Sequence, residues 1–413
     1  MKPSGEEDIG LLGLGHLNMI YLALKIVEFE VCRSRELLNI MIVEEPEAHI
    51  HSHIQKTLFD NLSVTKNYTQ VVMTTHSVHL AESSEISQMN ILKTLRNESI
   101  VMQPITGLKE FGEKQLGKKS LDLAKCIERY LDAKRNVLLF SKGVVLVEGD
   151  AEEILIPHML KKAFGISLDE IGVGLINVGS TAFEYIASVF DDKRINRYCA
   201  IITDLDKQVI DESSEFYKAG AELKGKERKE KLDKLYSGNS WVKSFFAERT
   251  LEIEFVNHKD NYTYVLNTIK KIYSQDATIK RHQSRIKDAN DRNEEILSLA
   301  KKEGKGWFAT ILSSELDYNI SIPAYIMDAI AFAAQETMTV KIYGKMIKYS
   351  LSCYIDDDSK KYLKAFCNRN TDEEQKQLII QFLKTEDYCE DIVKLFIVSC
   401  EQHINLLEVV EGD

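Results

Sequence analysis

No apolar run in this chain reaches the roughly 20 residues that a membrane-crossing helix needs. The first ten residues are polar and acidic, which speaks against a secretory signal peptide. Cysteine is sparse and scattered: Cys32, Cys126, Cys199, Cys353, Cys367, Cys389 and Cys400 stand singly, with no CxxC pair. An odd, dispersed set builds neither a disulfide framework nor a zinc knuckle. Internal repeats and low-complexity tracts are missing as well. So is any phosphate loop of the form GxxxxGKS or GxxxxGKT. These absences leave a cytoplasmic, globular protein without a membrane partner as the expectation. The 413 residues suffice for two or three domains, and 44% hydrophobic with 28% charged residues is an ordinary globular mix.

The net charge of −11 at first speaks against nucleic acid, but it is unevenly spread. Residues 371–413 hold eleven acids and three bases and account for most of the excess. Residues 109–142 hold nine bases and five acids, and residues 270–305 hold ten bases and six acids. Such local basic surfaces can bind phosphates on an acidic molecule, and they can equally be solvated helix faces.

The hydrophobic pattern divides the chain into a segment 1–105, a helical connector 106–140, a domain 141–320 and a helical region 321–413. The first segment reads as helix (17–31), short apolar strand (38–43), helix (50–62) and buried strand (70–74). Residues 121–140 read as helix. From Gly143, apolar strands at 143–147, 173–178 and 198–203 alternate with helices at 151–164 and 182–190. That alternation implies α/β architecture with a parallel sheet. Residues 211–243 and 263–304 read as charged helical insertions, with a strand-like piece, 250–255, between them.

The strand ending Val43-Glu44-Glu45-Pro46-Glu47-Ala48-His49 has the form of a Walker B element. One acid of such a strand serves a magnesium ion, and the next polarises the water that attacks a γ-phosphate. Thirty residues on, Thr74-Thr75-His76-Ser77 closes a second strand on a histidine. Upstream, Gly13-Leu14-Gly15-His16 opens a helix whose free N-terminus and small residues suit a phosphate. The three elements resemble the signature (Gly13, Gly15), Walker B (Glu44, Glu45) and switch histidine (His76) of an ABC-type ATPase. The run Glu-Glu-Pro-Glu-Ala-His with the later Thr-His-Ser closely resembles the ATPase region of the OLD (overcoming lysogenisation defect) nuclease family. Glu44 stands where Asp is usual, and members of that family often carry Glu there. His49, His51 and His53 alternate in a way that suggests a metal, but the resemblance assigns them to the surface where ATPase halves meet. Without a phosphate loop, the chain is expected to hydrolyse ATP poorly alone and to bind it only with a partner supplying that loop. The expectation is therefore a fragment, a split gene product or a remnant.

The second constellation begins at Val147-Glu148-Gly149-Asp150-Ala151-Glu152-Glu153. An apolar strand delivers Glu148 at its tip, Gly149 lets the chain turn, and Glu152 lies in the first turn of a helix. The third strand delivers Asp204-Leu205-Asp206, residues two apart that share a face if the chain is extended. Carboxylates gathered this way repel one another unless cations lie between them, and hard oxygen ligands suit Mg²⁺ or Mn²⁺. Glu-Gly after one strand and Asp-x-Asp after a later one resemble the Toprim fold of topoisomerases, primases and OLD nucleases. Glu152 points to the OLD branch. Val178-Gly179-Ser180 matches small residues near the family's metal site. Thr250-Leu251-Glu252-Ile253-Glu254 is similar to the family's Thr-Leu-Glu element, with Glu254 favoured over Glu252 as the metal-side acid. Lys305-Gly306-Trp307-Phe308-Ala309 is similar to its late Lys-Gly-x-Phe-Ala element, where the lysine neutralises charge on the scissile phosphate.

The resemblance implies a metal-dependent endonuclease acting on DNA, with Glu148, Glu152, Asp204, Asp206 and Glu254 as ligands of two metal ions, and a role in defence against phage. Hydrolysis is preferred to transfer onto a tyrosine, because none of the seventeen tyrosines stands out. A different reading makes the chain a regulatory module. Its ATPase segment then pairs with a second copy, or docks on a complementary nucleotide-binding partner.

Overall fold

The computed structural model describes residues 13–353 except 35, 64–68, 96–97, 119–121, 132–134, 211 and 218, and beyond them only positions 361, 364, 374 and 377. The acidic tail thus lies almost wholly outside the described residues. The chain forms two compact units. The first comprises residues up to Asn90 together with Ala124–Phe140, and the second comprises Ile91–Leu123 and everything from Ser141 onward. Among the described residues, no helix is long and apolar enough to cross a membrane.

The first unit contains α1 (Leu14–Cys32), β1 (Asn39–Glu44), α2 (Ser52–Ser63), β2 (Thr69–Thr74) and α3 (Val78–Ser83). β1 and β2 run parallel in register, with Glu44 opposite Thr74. One face of this ribbon turns Met41 and Val43 toward Leu22 of α1, with Ile26, Phe29, Val71 and Met73 packed around them. On the other side Ile40, Ile42 and Val72 are exposed.

The second unit opens with an antiparallel hairpin, β3 (Ile91–Leu95) and β4 (Glu98–Met102), and α4 (Leu108–Lys114). Packing divides the chain differently from a boundary at 105 followed by a connector, and specific bonds give the reason. Lys93 Nζ donates to Asn196 O at 2.7 Å and pairs with Glu336 at 2.6 Å. Arg194 donates to Thr106 O at 3.1 Å. These contacts tie the hairpin and the following turn to the larger sheet. The helical stretch expected over 121–140 is two short helices, α5 (Leu123–Tyr130) and α6 (Val137–Phe140), which belong to the first unit.

The larger sheet is the parallel α/β sheet that the alternation of strands and helices implies. Its strands are β5 (Gly143–Val147), β6 (Val173–Asn177), β7 (Cys199–Asp204) and β8 (Val242–Ala247), in the order β6-β5-β7-β8 and all parallel. Every residue of β5 is buried, as expected for a strand covered on both faces. α7 (Asp150–Phe164) follows β5. It has Asp150, Glu152 and Glu153 in its first turn and Lys161 and Lys162 in its last, complementing the helix dipole at both ends. α8 (Phe183–Ile186) follows β6, and α9 (Ala221–Tyr236) leads into β8.

Two local expectations change. Val242–Ala247, which overlaps the last two residues of the 211–243 insertion and otherwise lies outside the expected elements, is the fourth strand. Residues 250–255, read as strand-like, form α10 (Leu251–Asn257) instead. In that helix Leu251, Glu252, Ile253, Phe255 and Val256 are all buried. A helix covered on most sides carries no apolar stripe, so its chance alternation imitated a strand. Then come α11 (Tyr262–Ile272), α12 (Asp276–Lys287), α13 (Arg292–Glu303), α14 (Lys305–Glu315), α15 (Ala324–Ala333) and α16 (Val340–Cys353). α15 packs along β5, β7 and β8, while α14 packs on α7.

Candidate active site

The tips of β5 and β7 are neighbours in the sheet, and each ends on acids. Glu148 immediately follows β5. Its Oε1 accepts the Thr203 hydroxyl and, at 3.4 Å, the Asp204 N–H. The first carboxylate is thus bonded to the strand that carries the next. Asp204 closes β7, and burial, then Glu148, Glu152, Glu252 and Asp206, push its carboxyl well above the usual range. Asp206 lies past the strand with φ +52°. Shared strand alternation therefore does not orient it. A left-handed residue, which Asp tolerates, turns it back toward the cluster.

Glu152, on the first turn of α7, is raised to about 7 by burial and by the neighbouring Glu252 and Glu148, with Lys305 opposing. Asp150 and Glu153 of the same turn are held apart from this group: Asn177 Nδ2, at the tip of β6, donates to both, at 2.7 and 3.0 Å. Gly149 is extended at φ −153°, so the turn after β5 does not draw on glycine's left-handed freedom.

α10 contributes Glu252, whose side chain is buried and which pairs with Lys305 Nζ at 3.0 Å. Burial pulls the lysine down, but Glu252, Asp204 and Glu152 more than offset it and hold Lys305 above its ordinary value. Glu254 is turned elsewhere. Its Oε1 accepts the Arg249 N–H at 3.2 Å, and burial raises its pKa. The structure therefore brings Glu148, Glu152, Asp204, Asp206, Glu252 and Lys305 together, and gives Glu254 a partner outside that group.

Three further residues belong to the cluster and were not read from the sequence. Arg228 of α9 donates to Asp204 O and stands 3.4 Å from Asp206 Oδ2 and 3.7 Å from Glu148 Oε1. Thr203 holds Glu148. Tyr325, in the first turn of α15, is pushed far above the usual phenol range by burial and then by Asp204 and Glu152. Arg228 gave no signal because α9 reads as a solvated, basic insertion. Its approach depends on Gly225, one turn earlier, where a Cβ would fall 2.2 Å from Leu205 O.

Among the described residues, no group of three or more His, Cys, Asp or Glu side chains is already closed around a metal position. The donor set nonetheless fits a hard divalent cation. It is all carboxylate oxygen, and the upward shifts at Asp204 and Glu152 come first from burial and then from the neighbouring acids, both of which a bound cation would offset.

Residues 139–206 match the family model described as "Overcoming lysogenization defect protein-like, TOPRIM domain". The second unit carries an OLD-like Toprim domain. Residues 6–81 match the AAA ATPase domain model, so an ATPase segment precedes the Toprim domain. Endonuclease GajA of Bacillus cereus is 24% identical over 55% of this chain and 35% of its own length. The OLD nuclease of Thermus scotoductus is 24% identical over 60% of this chain and 46% of its own. The chain thus spans between a third and a half of these curated relatives. The C-terminal region of the Burkholderia pseudomallei OLD protein aligns with 48% of this chain and 100% of its own, at 25% identity and a TM-score of 0.38.

Within the ATPase segment, the motif residues also meet. His76 Nε2 stands 3.4 Å from Glu45 Oε1. Glu47, not among the residues expected to act, accepts the Thr75 hydroxyl at 2.6 Å and the His76 N–H at 2.9 Å, which joins the loop after β1 to the end of β2. A Cβ at Gly15 would fall 2.2 Å from His49 O, so α1 rests backbone to backbone on that loop. Glu44 ends β1, and Gly13 is the N-terminal cap of α1. The side chain of His53 lies outside the described residues.

Proposed function

We propose that the chain is an endonuclease that hydrolyses DNA phosphodiester bonds at the Toprim acid cluster. The observation that carries this reading is the convergence of Glu148, Asp204 and Asp206 from adjacent strand tips, with the Lys305–Glu252 pair beside them. Glu148, Asp204 and Asp206, with Glu152 and Glu252, would hold one or two Mg²⁺ or Mn²⁺ ions. We assign the α10 ligand to Glu252 rather than Glu254, because Glu252 faces Lys305, Glu152 and Asp204. Such ions lower the pKa of bound water and stabilise a leaving oxygen.

The chain's own groups do the rest. Thr203 and the Asp204 amide fix Glu148 in one orientation. Where Glu152 is not a ligand, its carboxylate is placed to take a proton from the attacking water. Lys305 is held charged by its acids and stands ready to neutralise the scissile phosphate, as does Arg228. Tyr325 is held protonated by burial and the neighbouring acids, which disfavours it as a nucleophile at this site. A place in defence against phage belongs to this reading through the resemblance to OLD proteins alone.

The test is nicking of supercoiled plasmid with Mg²⁺ or Mn²⁺. Asp204→Asn should lower the rate by at least about a hundredfold, and chelation should abolish it. An Asp204→Asn protein that nicks like the wild type removes this assignment.

A second reading has its own observation. The uncovered Ile40, Ile42 and Val72 beside the exposed Glu45–His76 pair suit docking of the ATPase segment on another ATPase surface. ATP would then be bound only with a partner that supplies the phosphate loop. The partner is a second copy or a complementary nucleotide-binding chain.

A further inference from the structure

Beside the acid cluster lies a cavity of about 300 Å³, at the small end of the range for small-molecule sites. It shares Asp206 and Lys305 with the cluster. Its walls are largely apolar, with Phe216, Ile253 and Leu297 prominent among them. Its polar members are conspicuous for what they lack. Arg249 and Thr250 both belong to its lining, and Arg249 Nε and Thr250 Oγ1 are buried with no hydrogen-bond partner among the described residues. Thr250 is the N-cap of α10, yet its hydroxyl makes no capping bond. Buried polar groups in folded proteins are nearly always satisfied, so two orphans in residues that border one cavity point to a partner with hydrogen-bonding atoms.

The aromatic wall is held in place. Ser214 Oγ donates to Glu294 at 2.6 Å and Lys301 pairs with Glu215 at 2.9 Å, which fixes the segment bearing Phe216 against α13. Lys301 Nζ also lies 5.1 Å from the Phe216 ring centre. One planar aromatic ring, a guanidinium with an unpartnered Nε and a hydroxyl match a single nucleobase: stacking on the ring, hydrogen bonds at the edge. The volume suits one nucleotide and excludes a stacked run.

We propose that this cavity is a nucleotide pocket that receives one unstacked nucleobase of the strand whose phosphate lies at the acid cluster, with Phe216 as its stacking surface and Arg249 and Thr250 reading its edge. The strand assignment rests on the nuclease reading above. The pocket itself does not.

The experiment has two arms, both on the full chain. In the first, the four deoxynucleoside 5′-monophosphates are titrated without divalent metal and followed by saturation-transfer NMR. Saturable transfer to base protons is expected. Leu297→Trp, which fills the cavity, should abolish it, and Phe216→Ala should weaken it about tenfold. Phe216→Tyr should retain it. Phe216 is only half-buried, so Phe216→Ala keeps the arm decisive if Leu297→Trp does not fold. No binding, or binding indifferent to Phe216→Ala, overturns the pocket. In the second arm, plasmid nicking is measured for wild type and Phe216→Ala, and KM should rise about tenfold in the variant. Nucleotide binding that follows the pocket variants, with KM unchanged, overturns the strand assignment. If the wild type never nicks with any divalent metal, the nuclease reading and the strand assignment fall together, and the first arm alone decides the pocket.

Discussion

At the scale of single residues, Glu152 and Arg228 show how the acid cluster is balanced. Glu152 has its carboxyl raised from the usual 4.5 to about 7 in the folded chain, a difference of about 3 kcal/mol. Folding therefore favours its protonated form. Its contribution to stability is complete below about pH 4.5 and is lost as pH rises through about 7. A bound divalent cation reverses that preference by favouring the carboxylate. The metal-free chain should accordingly lose melting temperature between pH 5 and pH 8, and Glu152→Gln should flatten that decline. Added Mg²⁺ or Mn²⁺ should raise the wild-type melting temperature more at pH 8 than at pH 5. Thermal melts across this range check it, and a Glu152→Gln slope equal to the wild type would count against the placement of Glu152 in the cluster. Arg228, from α9, and Lys305 set positive charge against these carboxylates.

At the scale of elements, strand tips were legible and their supports were not. Buried parallel strands are written as continuous apolar runs, so β5, β6 and β7, with acids at the ends of β5 and β7, could be read from the sequence pattern. β8 and α10 could not. Val242–Ala247 is short, carries Lys243 and Ser244 among its apolar residues and follows a long charged helix by a brief turn, and α10 is too short and too thoroughly buried to show a helical stripe. That misreading left Glu252 and Glu254 unresolved, because a strand would point the two acids the same way. In a helix they diverge, one toward Lys305 and the other toward the Arg249 amide. α9 was visible as a basic helix, but its function depends on a contact no periodicity encodes. Gly225 allows it to approach Leu205 O, which carries Arg228 over Asp204 and Asp206. Gly225→Val should push α9 away at a cost of about 1–3 kcal/mol. Nicking should fall further than the loss of folded protein accounts for, and Arg228→Met should reproduce that fall at nearly unchanged stability. Paired melting and nicking measurements decide this, and a Gly225→Val protein as active per folded molecule as the wild type removes Arg228 from the cluster's working parts.

At the scale of the whole molecule, the two units differ in how completely their apolar surfaces are covered. The sheet of the Toprim unit is buried on both faces, with side chains such as Phe164, Phe183, Phe255 and Phe308 fully enclosed around it. The β1–β2 ribbon is covered on one face only. Ile42 is 69% exposed, and on α1 Leu24, Val27 and Val31 are also exposed. A single exposed leucine is ordinary, but several exposed apolar side chains on one strand face of a small unit signal an interaction surface, and α1 adds others on the opposite side of the ribbon. The motif pair Glu45–His76 sits on the same unit and is itself open to solvent. Association through this surface would therefore both hide apolar area and close a nucleotide site. Ile42→Glu introduces a charge on the exposed face without touching the Met41–Val43 core beneath it. In light scattering at tens of micromolar, the wild type should show a mass above that of one chain, increased by ATP together with a phosphate-loop partner. Ile42→Glu should remain monomeric and keep its melting temperature. A wild type that stays monomeric and indifferent to nucleotide and partner would mean that the exposed face serves no assembly, leaving the acid cluster to work from a single chain.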